Sequence, residues 1–170
     1  MNYKNQYQRK AHREVDFIFL TLLPQAGLSV REEQVKLSHQ MLDALLEGNI
    51  ALCDAGVGIG KTYAYLVACI LMRKYVAATG NGWLCDKRPI VISTSSIALQ
   101  EAIIQEYIPF LSDVFLSAGL IGSPLKAIVR KGKEHFVCDE RLGVRLEAVR
   151  EKPKNELQKK ALFSLKQIYD

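Results

Sequence analysis

The sequence predicts an α/β protein in which helices flank a parallel sheet. Three observations lead there. Short apolar runs alternate with longer segments of helical periodicity, and no hairpin signal joins two of those runs. A glycine-rich loop follows one run and opens a helix. The 170 residues are 49% hydrophobic and 24% charged, with a mean hydropathy of +0.02, a balance that suits one globular domain and excludes a disordered tail, a fibre or a disulfide scaffold.

Taken in order, residues 6–23 read as a helix, with Val15, Ile18, Phe19, Leu22 and Leu23 at helical spacing and Pro24 closing it. A second helix spans residues 31–47 and ends at Gly48. Residues 49–54 (NIALCD) form a short apolar run that meets glycines, the pattern of a buried strand. The glycine loop follows, then an apolar helix over residues 61–78 and a turn-rich loop over 79–89. Residues 89–94 (PIVIST) read as a second strand on their β-branched content. Ser95 or Ser96 can cap the next helix, which carries Leu99, Ile103 and Ile104 and breaks at Pro109. Residues 110–118 give another helical piece, 126–130 (KAIVR) a third strand, and the chain from Cys138 onward a charged helix.

The net charge of +5 is unevenly placed. Residues 1–125 hold 11 basic and 11 acidic side chains, while residues 126–170 hold 12 and 7. A basic C-terminal quarter suits either a nucleic-acid contact or a solvated, mixed-charge helix surface. Membrane spanning needs about 20 continuous apolar residues; the best run, residues 63–72, is half that. Cys53, Cys69, Cys85 and Cys138 are scattered, without a C-x-x-C pair or a signal peptide, which points to free thiols in a reducing cytoplasm. His12 and His39 offer no partner that the sequence alone identifies.

The loop Ala55-Gly56-Val57-Gly58-Ile59-Gly60-Lys61-Thr62 matches the phosphate-binding motif, with Ala55 in place of the first glycine. Its glycines let several backbone N–H groups face the phosphates of ATP, and the following helix adds its N-terminal donors. Lys61 supplies a point charge, and the Thr62 hydroxyl is the ligand expected for Mg²⁺.

Four stretches in order resemble the DinG/XPD-like iron–sulfur helicases of superfamily 2, covering about residues 28–142. Arg31-Glu32-Glu33-Gln34 resembles the R-x-x-Q element that reads adenine. The loop preceded by Asp54 resembles E-A-G-T-G-T-G-K-[ST]. Residues 89–100 resemble motif Ia, which implies single-stranded DNA contacts by Thr94, Ser95 and Gln100. Residues 131–138 (KGKEHFVC) resemble K-G-R-x-N-Y-x-C, which implies DNA contacts by Lys131 and Lys133 and makes Cys138 the first iron–sulfur ligand. His135 and Phe136 depart from that pattern, and no three further cysteines follow Cys138, so a cluster is expected only in a longer product.

The resemblance implies a partial RecA-like P-loop NTPase domain with helical extensions. Residues 1–27 are then an N-terminal extension, 28–130 most of the first ATP-binding motor domain, and 131–170 the start of an iron–sulfur or helical insertion, cut short. It implies ATP and Mg²⁺ as cofactors, single-stranded DNA as partner, and no membrane. Two other readings stay open: a non-catalytic nucleotide- or DNA-binding module, and a small single-domain NTPase in which Asp139 and Glu140 would end a strand as the catalytic acid pair. Thr94 and Ser95 could equally serve as helix caps, and Lys131 and Lys133 as plain surface charges.

Overall fold

A computed structural model describes residues 3–79, 89–132 and 138–151. The chain divides into two compact units, Met1–Ile128 and Val129–Asp170. The first holds α1 (Tyr3–Phe17), α2 (Leu23–Gln25), α3 (Glu32–Glu47), α4 (Lys61–Thr79), α5 (Ile97–Ala102) and α6 (Ile108–Ser117); the second holds α7 (Asp139–Glu151).

The expected parallel sheet, and with it the RecA-like fold, is not what these residues form. The described residues are largely helical, with no strand among them. Residues 49–54, 89–94 and 126–130 are irregular, and several of their branched aliphatic side chains face solvent: Ile50 is 98% exposed, Val91 83% and Ile128 80%. A strand exists only where a neighbour completes its hydrogen-bond ladder. Apolar, β-branched composition favours such a neighbour but does not provide one.

The core is built by helices instead. Ala11, Val15 and Ile18 from the first helical segment meet Leu42 and Leu46 of α3, Val67 and Leu71 of α4, and Leu111 and Phe115 of α6. Removing such side chains from water contributes about 1.5–3 kcal/mol each. The i, i+3, i+4 spacing read from the sequence is what lets each helix present one apolar stripe to this centre. At Gly48 the backbone turns left-handed (φ 74°), and the Asn49 N–H returns to the Ala44 carbonyl at 2.8 Å, closing α3 where the sequence expects it.

The two prolines behave differently. The first helix ends one residue past Pro24, at Gln25, as expected, whereas Pro109 does not stop its helix. Proline lacks an N–H, and its ring crowds the carbonyl four residues back. The chain accommodates both by widening to a π-helical turn just before the proline. The Leu23 N–H reaches the Ile18 carbonyl and the Ile108 N–H reaches the Ile103 carbonyl, each five residues back. Helical conformation therefore runs unbroken from Ile97 through Ser117.

Candidate functional site

The glycine loop leads directly into α4, whose first residue is Lys61. Gly58 and Gly60 both take φ of +85°, a region that costs an L side chain strain. The first backbone bond of the new helix runs from the Ala64 N–H to the Gly60 carbonyl at 3.3 Å. The N–H groups of Lys61, Thr62 and Tyr63 thus precede the helical ladder, as the opening donors of any helix do. The loop's outer edge is open: Val57 is fully exposed, and Gly56, Gly58 and Lys61 are exposed beside it.

Two residues from the head of α3 hold the loop. The Gln34 side-chain amide, almost fully buried, donates to the Gly60 carbonyl at 2.7 Å. The Arg31 guanidinium donates to the Gly58 carbonyl. Lys61 folds back over the loop, its Nζ donating to the carbonyls of Ala55 (2.9 Å) and Gly56 (2.7 Å). The Lys61 ammonium therefore stays at the loop, satisfied by backbone oxygens that an anionic ligand could replace. Behind the loop, the Tyr63 ring meets Tyr107 and Phe110 edge-on, with centroids 5.0 and 5.9 Å apart. Burial, then the Tyr107 hydroxyl and the Glu106 carboxylate, push the Tyr63 phenol above its ordinary range, so it stays neutral.

The structure thus brings together Arg31, Gln34 and all eight residues from Ala55 to Thr62. The remaining candidates lie elsewhere. Thr94, Ser95 and Gln100 gather at the start of α5, where Thr94 Oγ1 accepts from the Ser96 N–H and Ser96 Oγ accepts from the Leu99 N–H. Gln100 Nε2 donates to the Thr94 carbonyl at 3.1 Å, and Ser95 is exposed. The local bonding is that of a capped helix start.

Lys131 and Cys138 are in the second unit, Cys138 exposed just before α7, and Lys133 lies outside the described residues. Asp139 and Glu140 form the first turn of α7 rather than the end of a strand. Among the described residues no group of three or more histidines, cysteines or carboxylates could hold a metal ion, so this set does not fit an iron–sulfur cluster.

One arrangement escaped the sequence reading. His12 and His39 are partnered, with each other and with Asp43 and Asp16. A signal was present, since H-x-x-x-D occurs twice, at residues 12–16 and 39–43.

A helix headed by a glycine loop with a lysine and threonine at its mouth has the sequence pattern of a phosphate-binding loop. Over about two-thirds of its length the chain is, more particularly, a relative of the DinG-type ATP-dependent helicases. It is 31% identical over 112 residues to a 3'-5' exonuclease DinG of Bacillus subtilis, covering 66% of this chain and 10% of that protein. To a probable ATP-dependent helicase YpvA of the same species it is 26% identical over 139 residues, 82% of this chain and 19% of the relative. To an ATP-dependent helicase DinG of Mycobacterium tuberculosis it is 32% identical over 112 residues, 66% of this chain and 15% of the relative. The matched segment therefore spans between a tenth and a fifth of each relative's length. No protein-family model matches the chain, and no solved structure does. Among the described residues, no helix is long and apolar enough to cross a membrane.

Proposed function

We propose that this chain is the ATP-binding segment of a DinG-type helicase and that residues 55–62 are its phosphate site. The observation that carries the reading is the loop held from both sides, by Gln34 and Arg31 on its carbonyls and by Lys61 across its mouth. With the Gly58 and Gly60 carbonyls held by side chains, the loop's N–H groups are the groups that would meet an anion. Bound ATP would supply the triphosphate charge that these groups meet.

Lys61 would exchange its two backbone oxygens for phosphate oxygens, and the half-buried Thr62 hydroxyl would hold Mg²⁺. Gln34 would keep its amide N–H on Gly60 and offer its carbonyl oxygen to adenine, beside Arg31. The domain boundaries follow: residues 28–130 carry the nucleotide, and 131–170 begin an insertion.

Single-stranded DNA is the proposed partner, along Thr94, Ser95 and Gln100 and along Lys131 and Lys133, and the cytoplasm the proposed compartment. The relatives' names, helicase and exonuclease, support a DNA substrate in general. We further infer that this chain alone binds ATP without motor turnover. An arginine finger is worth about 10³–10⁵ in rate, and Asp139 and Glu140 open α7 instead of ending a strand.

Calorimetric titration with Mg-ATP tests the reading. Saturable binding that Lys61→Ala weakens at least about tenfold is expected, the size of one charge-assisted contact. Equal isotherms for the two proteins would refute it. DNA-stimulated hydrolysis at a motor's rate, of order one per second or more, would refute the uncoupling.

A further inference from the structure

Away from the loop, α1 and α3 are joined by a four-membered polar chain. His12 Nε2 lies 2.7 Å from Asp43 Oδ1, and His39 Nε2 lies 2.7 Å from Asp16 Oδ1. The two Nδ1 atoms face each other at 2.6 Å. Each helix contributes one H-x-x-x-D segment, and each histidine takes the carboxylate of the other helix. This exchange requires the two helices to run antiparallel at the crossing.

The ring centroids are 4.9 Å apart with planes inclined by 25°. That separation exceeds the nitrogen contact by roughly two ring radii, so the rings meet edge to edge, their Nδ1 lone pairs head-on. Both rings are about three-quarters buried.

Counting protons fixes the state. A carboxylate only accepts, so each Nε2 must carry a hydrogen. With both imidazoles neutral, two lone pairs would then oppose each other at 2.6 Å. With both protonated, two N–H groups would collide there. One additional proton, held between the two Nδ1 atoms, satisfies all three contacts. A metal ion is a poorer occupant, because two nitrogens at about 2.0–2.1 Å from a tetrahedral ion stand farther apart than 2.6 Å.

We propose that His12 and His39 share a single proton, forming a clamp that docks α1 on α3. Arg9 and Lys36 each precede their histidine by one turn. On α4, packed against both helices, the Lys74 ammonium is held by Glu14 at 2.9 Å. Because α3 also carries Gln34, the clamp fixes the helix that latches the loop.

Long-range ¹H–¹⁵N spectra of the histidines in the 170-residue chain, recorded between about pH 5 and 8, read the proton positions directly. The expected pattern is two Nε2–H groups, one far-downfield bridging proton, and Nδ1 resonances that move together. His39→Gln and Asp43→Asn should each lower the melting temperature. Independent titration of the two rings would overturn the proposal. So would stoichiometric Zn²⁺ binding that shifts both Nδ1 resonances, or an unchanged melting profile in a folded His39→Gln. The spectra of the unsubstituted chain decide the matter even if a variant fails to fold.

Discussion

The side-chain amide of Gln34 and the carbonyl of Gly60 meet at 2.7 Å, and a methyl group placed on Gly60 would lie 1.9 Å from that same amide nitrogen. The contact is thus possible only because residue 60 has no side chain. It ties the head of α3 to the entry of α4, and with it the direction in which the loop presents its N–H groups. Twenty-six residues separate the partners, yet the bond makes them one site.

Gly60→Ala should therefore be worse than Gly58→Ala. Both positions have φ of +85°, which costs a non-glycine residue of order 1–3 kcal/mol. Only Gly60 adds a collision, since nothing lies within 4 Å of a methyl group at Gly58. Urea unfolding should rank wild type above Gly58→Ala above Gly60→Ala. In a Gln34→Ala background the gap between the two glycine variants should close, because the collision has gone while the backbone strain remains. A gap of unchanged size would mean that Gln34 does not restrain the loop.

How much of this was legible in the sequence depended on range. The loop and the helix that follows it rest on local chemistry, glycines and a lysine–threonine pair within eight residues, and they were readable. Gly48 and Ser96 act over one turn and were readable too. The strands were not, because whether residues 89–94 enter a ladder is decided by what lies beside them. Pro109 was read as a stop, whereas a widened turn lets the helix pass. The histidine pair failed for a related reason: each H-x-x-x-D is visible, but the exchange of carboxylates depends on how α1 crosses α3.

Thiol reactivity should separate the cysteines. Burial pushes the Cys69 thiol up to about 11, while Cys138 is exposed. At pH 8 Cys138 should alkylate readily and Cys69 should remain protonated and unreactive until the chain unfolds. As pH rises past the ordinary thiol range, the unfolded chain loses a proton that folded Cys69 retains, so this group lowers stability in alkaline solution. Peptide-resolved mass spectrometry after timed iodoacetamide treatment checks the order. Equal rates at the two sites would contradict the packing of α4.

For DNA, the proposed phosphate contacts make a quantitative statement about salt. Each lysine that neutralises a phosphate on a single strand contributes about 0.7 to the slope of log affinity against log salt. Replacing Lys131 and Lys133 together by alanine should weaken binding of a fluorescent oligothymidylate and lower the slope by about 1.4. Anisotropy titrations at several salt concentrations measure both. An unchanged slope would make the two lysines ordinary surface charges.

The central claim, that ATP is bound by the N–H face of the loop at the head of α4, is tested most directly by amide ¹H–¹⁵N shifts during titration with Mg-ATP. The account predicts that the largest shifts fall on residues 56–63, that Gln34 responds through its side-chain amide, and that Lys61→Ala abolishes the pattern at the same nucleotide concentration. Shifts centred elsewhere, or a loop that responds equally well without the Lys61 ammonium, would contradict it.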